Sequence, residues 1–142
     1  MAIEQTFAMI KPDAVEDGYT GAIISRIEQE GFTILRLEKC LLESELVEEF
    51  YGEHKERSFF GEMVDGICSG PVILMALERE NAVAGWRDLI GATDPAKAAD
   101  NTLRKLYGRH IGSNAVHGSD AVETAERELD LMFSDDSETD EA

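Results

Sequence analysis

Cysteine is scarce in this 142-residue chain, where only Cys40 and Cys68 occur and no C-x-x-C spacing is present. That pattern gives no support to a disulfide framework and reads more simply as buried thiols in a reducing compartment. A zinc site drawn from Cys40, His54, Cys68 and His110 has no recognisable ligand spacing either. Positive charge is also in short supply, with 13 Lys and Arg against 30 Asp and Glu and a net charge of −17. Such a surface repels nucleic acid and anionic membrane, so no partner of either kind is expected. It suits a protein that stays soluble in high salt, or an ordinary acidic one. No apolar run approaches the ~20 residues of a membrane span, and Met1-Ala2-Ile3-Glu4 lacks a charged-then-apolar leader pattern. A cytoplasmic protein is therefore expected. Gly-x-Gly-x-x-Gly is absent. Gly61 and Gly66 have the outer spacing of a P-loop, but Ile67-Cys68 stands where Lys-Ser/Thr is required.

What the chain does have is apolar material enough for a core, at 43% hydrophobic residues, and length for one compact domain. Residues 1–133 read as that domain and 134–142, dense in Asp and Glu, as a solvated acidic tail. Thr6-Phe7-Ala8-Met9-Ile10 is a short apolar run stopped by Pro12, as in a buried strand. Ile23, Ile24 and Ile27 mark a helix that Gly31 ends. Phe32–Leu41 alternates only in part and reads as a second strand. Ser44 is placed to cap a helix carrying Leu46, Val47, Phe50 and Tyr51. A second helical stripe through Phe60, Met63, Val64 and Ile67 completes a hairpin of helices. Val72–Leu77 is the clearest central strand. Asn81 then opens a helix ending near Gly91, and Thr93-Asp94-Pro95 forms a new cap with proline at the first helical position. Asn114–His117 suits a last short strand, and Ser119 or Asp120 starts a final helix with Val122, Ala125, Leu129 and Met132 buried. Strands separated by helices, too few for a doubly wound sheet, favour an α+β fold: a ferredoxin-like α/β sandwich with a four-stranded antiparallel sheet and an inserted helical hairpin.

The chemically informative stretch is Asn114-Ala115-Val116-His117-Gly118-Ser119-Asp120. It ends a strand on a histidine, turns at a glycine and opens a helix, which sets an imidazole beside free backbone N–H groups suited to an anion. Neutral imidazole is a nucleophile near pH 7, although a lone strand-end histidine is more often structural. Lys11, Arg87 and Arg104 are candidates to hold a polyphosphate together with Mg²⁺; singly, each reads as a surface charge.

The same stretch resembles the N-x-x-H-G-S-D signature of the nucleoside diphosphate kinases. The likeness extends in family order through Ile10-Lys11-Pro12-Asp13, Phe50-Tyr51-Gly52-Glu53-His54-Lys55, Phe59-Phe60, Ser69-Gly70-Pro71-Val72, Glu80-Asn81-Ala82-Val83, Arg87-Asp88 and Gly91-Ala92-Thr93-Asp94-Pro95. It runs from about Glu4 to Phe133. The resemblance implies ping-pong transfer of a γ-phosphate from a nucleoside triphosphate to a diphosphate, with a phosphohistidine at His117 and broad base specificity. It assigns Glu128 to orient the histidine, Ser119 to support that acid, and Tyr51 to the histidine's side. Lys11 and Asn114 would meet the sugar and γ-phosphate region. Arg87, Thr93 and Arg104 would grip phosphates, and Phe59 would stack on the base. For several of these there is a plainer role: a surface carboxylate paired with Arg127 for Glu128, a helix cap for Ser119 and Thr93, core packing for Tyr51. The resemblance also implies Mg²⁺ on the nucleotide and a homo-oligomer built from dimers, tetrameric or hexameric. Ser58, Asn101 and Leu106 depart from the family's frequent Pro, Gly and Asp. A binding module without turnover and a phosphohistidine carrier acting on a protein are the competing functions.

Overall fold

A computed structural model of the chain describes residues 3–52 and 60–133; His54, Ser58, Phe59 and the acidic tail lie outside them. The elements run β1 (Ile3–Ile10), α1 (Pro12–Glu16), α2 (Thr20–Gln29), β2 (Thr33–Cys40), α3 (Ser44–Phe50), α4 (Phe60–Cys68), β3 (Val72–Glu80), α5 (Ala82–Ile90), a 3-10 turn (Pro95–Lys97), α6 (Leu103–Tyr107), β4 (Val116–Gly118) and α7 (Val122–Met132). The four strands form one sheet in the order β2-β3-β1-β4, every pair antiparallel.

The central strands β1 and β3 are buried on both faces, which is why Phe7–Ile10 and Val72–Leu77 read as unbroken apolar runs. Successive side chains alternate between faces. Ala8 and Ile10 join Ile23, Ile27, Trp86 and Ile90 on one side, while Phe7 and Met9 join Val47, Phe50, Val64 and Ile67 on the other. Helices α2 and α5 thus cover one face, and α3, α4 and α7 the other. The weak alternation of β2 has a local cause. The register shifts between Ile34 and Arg36, leaving Leu35 as an unpaired extra residue that bends an edge strand.

Several helix starts differ from the sequence expectation. Glu43, not Ser44, takes the cap position of α3 without a side-chain bond, and Ser44 is the first helical residue. Asn81 precedes α5 in a left-handed conformation (φ 52°) and likewise makes no capping bond. At Thr93-Asp94-Pro95 the cap is Asp94, whose Oδ1 accepts from Ala96 N–H at 3.0 Å, and Pro95 opens a single 3-10 turn. Pro12 does not simply stop a strand; it sits at the start of α1, where its missing N–H costs nothing. Helix α7 begins after Ala121 rather than at Ser119 or Asp120, which frees Ser119 for the bond described below. Asn101 adopts φ 73°. Asparagine is among the side chains that best tolerate that region.

Candidate active site

The site forms where β4 lies against β1 and faces α7. Register places His117 opposite Met9, so its ring enters the face occupied by Phe7, Phe50 and Tyr51, with centroid distances of 5.9, 5.0 and 6.2 Å. These rings leave the imidazole few orientations. Its Nε2 lies 3.0 Å from Glu128 Oε1, and Ser119 donates its hydroxyl to the same oxygen at 2.6 Å. Ser119 is fully enclosed and Glu128 nearly so. Glu128 is therefore not paired with Arg127. That guanidinium reaches the other way and caps the end of α3, donating to Glu49 O at 2.6 Å and to Phe50 O at 3.3 Å.

The backbone under the histidine is held from below. Trp86 Nε1–H donates to His117 O at 3.0 Å. Buried Arg104 donates from Nη2 to Val116 O at 2.9 Å and from Nη1 to Gly91 O at 3.0 Å, while its Nε finds no partner among the described residues. On the N-terminal side of β4, Ala115 takes φ 79°, and Val116 N–H donates to Asn114 O at 2.9 Å. This is a γ-turn in a region that L-residues avoid, and it costs about 1–3 kcal/mol. Neighbours hold it there: Lys11 N–H donates to Ala115 O at 2.8 Å and Asp13 Oδ2 accepts from Ala115 N–H at 3.0 Å.

The basic residues do come together. Lys11 Nζ donates to Asn114 Oδ1 at 2.7 Å, and Asn114 Nδ2 donates to Thr93 O at 2.9 Å. Burial lowers the Lys11 pKa to about 8, against Asp13, which raises it, and with Arg104 lowering it further. Arg104 is brought down to about 10 by burial and then by the nearby Arg87 cation. Arg87 lies within reach of Gly118 O at 3.4 Å. Burial, then the neighbouring Glu128, pushes the Tyr51 phenol well above its ordinary value, so it stays protonated. Cations crowded closely enough to disfavour one another are the electrostatic mark of an anion site.

A cavity of about 150 Å³ opens on the imidazole between Tyr51, Arg87, Gly118 and Glu128. Asp120 and Thr124 also line it; the first stands inside the H-G-S-D run, and the second is one helical turn before Glu128. Neither was assigned a role at the site from sequence. A larger groove of about 400 Å³ lies along Lys11, Met63, Gly112 and Ser113. Thr93 contributes its carbonyl to the site, and its side chain is exposed. Phe59 falls outside the described residues.

Comparison with known proteins identifies the family. The family model for nucleoside diphosphate kinase matches residues 4–138. The chain is 53% identical over 133 residues to the nucleoside diphosphate kinase of Sorangium cellulosum, covering 94% of this chain and 92% of that one. With the Deinococcus radiodurans enzyme the identity is 52%, covering 94% and 96%. Among solved structures, the Aquifex aeolicus nucleoside diphosphate kinase superposes with a TM-score of 0.91 at 42% identity, covering 93% of this chain and 96% of that one. A halophilic nucleoside diphosphate kinase from Halobacterium salinarum, solved in complex with CDP, gives 0.91 at 41%, covering 95% and 90%. With the family's ferredoxin-like α+β sandwich around a histidine, a carboxylate and a cluster of cations, this chain belongs to the nucleoside diphosphate kinase family.

Proposed function

We propose that the kinase works in two displacements through His117 Nδ1. The supporting observation is the contact of Nε2 with Glu128. A carboxylate only accepts, so the ring proton resides on Nε2 and the Nδ1 lone pair is left free. In the first half, Nδ1 attacks the γ-phosphorus of a nucleoside triphosphate. An N–P bond forms, the bond from phosphorus to the β,γ-bridging oxygen breaks, and the nucleoside diphosphate departs with that electron pair. In the second, a terminal oxygen of another diphosphate attacks the same phosphorus and the ring nitrogen leaves. Glu128 steadies the positive charge that the ring carries while phosphorylated, and Ser119 keeps the carboxylate in place. Arg87, Lys11 and Arg104 supply positive potential toward the equatorial oxygens; Arg104 does so while its terminal nitrogens hold backbone carbonyls. Tyr51 contributes a protonated hydroxyl beside the ring, with Asn114 and Thr93 on the sugar and phosphate side. Phe59 is proposed to stack on the base face, so that all common bases are accepted.

The family uses a divalent cation, and Mg²⁺ is the ion proposed. Among the described residues no three His, Cys, Asp or Glu side chains stand together as a metal site. The ion would be carried mainly on phosphate oxygens, and Asp120, which lines the cavity beside His117, would be the carboxylate available to it. When bound, it would neutralise β,γ-phosphate charge. A homo-oligomer of dimers is also proposed, supported by the unpaired edge of β2 and the exposed Leu35 and Leu37; sedimentation velocity tests it. No helix among the described residues is long and apolar enough to cross a membrane.

The test is to mix the protein with Mg²⁺ and γ-labelled ATP, isolate it, and add unlabelled GDP. An acid-labile label, absent from His117→Ala and discharged into GTP, is expected. Label that forms but stays on the protein would instead indicate a carrier. Nucleotide bound without label would indicate a binding module. Discharge into CDP, UDP and dTDP at similar rates checks the breadth of base acceptance.

A further inference from the structure

Arg109 takes no part in the chemistry above, yet it makes the densest set of charged contacts described in this chain. Its Nη2 donates to Asp17 Oδ1 at 2.7 Å and Glu16 Oε1 at 2.9 Å, its Nε to Asp17 Oδ2 at 2.9 Å, and Nη2 also approaches Asp13 O at 3.4 Å. The two Asp17 bonds are the fork-to-carboxylate geometry that only arginine provides. The contact spans 92 positions of sequence, so it joins two segments that local structure would not bring together. It also answers a local electrostatic defect. Helix α1 has no basic residue in its last turn, and Glu16 and Asp17 place two carboxylates at the negative end of its dipole. Without Arg109 these acids would repel one another in an already acidic protein.

The segment that Arg109 starts is closed by its own hydrogen bonds. Arg109 N–H donates to Ser113 O at 2.9 Å, Ser113 N–H donates to His110 O at 2.9 Å, and Gly112 N–H donates to His110 Nδ1 at 3.1 Å. A closed turn of this kind moves as a unit. Its far end leads directly into Asn114, which accepts from Lys11, and into Ala115, which is bonded to Lys11 and Asp13. Arg109 and Ser113, the two ends of this turn, both line the groove beside Lys11. The turn is thus tied at both ends to the same short segment, 11–17: by Arg109 at its start, and by the Lys11–Asn114 contact at its finish.

We infer that Arg109 is a positioning residue for nucleotide binding, a salt-sensitive latch that fixes the turn at 109–113 on α1 and so presents the Lys11–Asn114 pair in its binding geometry. This rests on the site being the nucleotide site proposed above. The latch is open to solvent, since the side chains of Arg109 and Glu16 are 41% and 77% exposed. Its strength therefore falls with ionic strength. It acts before the chemical step, by keeping the loop in the bound form, so it bears on affinity rather than on phosphorus transfer.

The experiment compares wild type, Arg109→Ala, Asp17→Asn and the double variant by steady-state kinetics and by calorimetric binding of ADP. At low salt, Arg109→Ala is expected to raise both KM and Kd about three- to tenfold, the scale of one or two exposed ion pairs, with kcat within about twofold. The double variant should match Arg109→Ala alone, because the second change removes a partner already lost. Wild type and variant should converge in molar salt, where the screening length falls to about 3 Å. Unchanged KM and Kd, a fall in kcat alone, additive single effects, or a ratio that persists in molar salt would each overturn the inference. Should Arg109→Ala fold poorly by thermal melt, Arg109→Lys keeps the charge without the fork and is expected to fall between it and wild type. A wild type that bound nucleotide but exchanged no phosphate would sink the reading of the site instead, a result distinct from an active enzyme indifferent to Arg109.

Discussion

Gly118→Ala is the most direct way to test whether packing of β4 fixes the histidine. A methyl group added at Gly118 would lie 2.7 Å from Trp86 Cδ1, 2.8 Å from Trp86 Nε1 and 3.0 Å from Ile90 Cδ1. Trp86 and Ile90 are completely enclosed, so neither ring nor branch can swing aside and the strand must move. β4 is three residues long and rests on Trp86 through the 3.0 Å bond to His117 O. Overpacking of this sort costs about 1–3 kcal/mol, and losing the indole bond adds about 1 kcal/mol. A loss of about 2–4 kcal/mol follows, which for a domain of this size lowers the melting temperature by roughly 6–15 °C. The melt is followed by far-UV circular dichroism at two protein concentrations, so that dissociation of an assembly is separated from unfolding. Displacing His117 also lengthens its contact with Glu128, and misplacement on the order of 1 Å costs roughly 10²-fold in rate. Phosphorylation by γ-labelled ATP should fall by that order well below the melting temperature. Gly21→Ala is the control: it lies in α2, and a methyl group added there meets nothing within 4 Å. A Gly118→Ala protein melting within about 1 °C of wild type, with full activity, would refute the reasoning.

Three further outcomes are expected. Glu128→Gln keeps the shape but offers Nε2 an amide whose orientation is no longer dictated, and should slow histidine phosphorylation roughly 10²-fold or more in rapid-mixing experiments, with little change in melting temperature. The lowered pKa of Lys11, about 8 through burial, means that its charge is lost as pH rises through 8 in the free enzyme. kcat/KM should therefore decline above about pH 8, a limb that Lys11→Gln removes, while bound polyphosphate moves the corresponding limb of kcat to higher pH. In stability the sign is opposite, because the fold releases this proton before the unfolded chain does: the cost of burying the charge is present below pH 8 and is relieved between there and the unfolded value of 10.5. Finally, Thr6 is fully buried and its hydroxyl has no partner among the described residues. Thr6→Val should thus be neutral to stabilising by up to about 1 kcal/mol in a denaturant titration.

Much of this was legible in the sequence, and what was not has a physical pattern. The two central strands declared themselves because burial on both faces leaves apolar runs. Glu128 and Ser119 were linked to His117 only by the resemblance to the kinase family, and the fold brings the three side chains within hydrogen-bond distance. Ser44 lies one residue inside α3, whose cap position is Glu43, while Asn81 does stand at the cap of α5 but in a left-handed conformation that makes no side-chain bond. The γ-turn at Ala115 has no glycine to announce it; tertiary hydrogen bonds hold an alanine where local preference would not. The convergence of Lys11 on Asn114 spans 103 positions, beyond the reach of any periodicity. Arg104 matched a phosphate-gripping position, but only the fold reveals that its terminal nitrogens hold the carbonyls of Val116 and Gly91. Arg127 was weighed as a partner for its neighbour Glu128, and instead it ties α7 to α3.

The order of strands has a consequence for how the enzyme comes into being. β1 is made first and lies inside the sheet, yet its two neighbours are β3 and β4, and the latter ends at Gly118. The carboxylate that contacts the histidine, Glu128, follows still later, on α7. A nascent chain therefore carries β1 with an open edge until nearly all of the domain has been synthesised. On the proposed mechanism, a chain stalled before α7 presents His117 without the Glu128 contact that holds its ring.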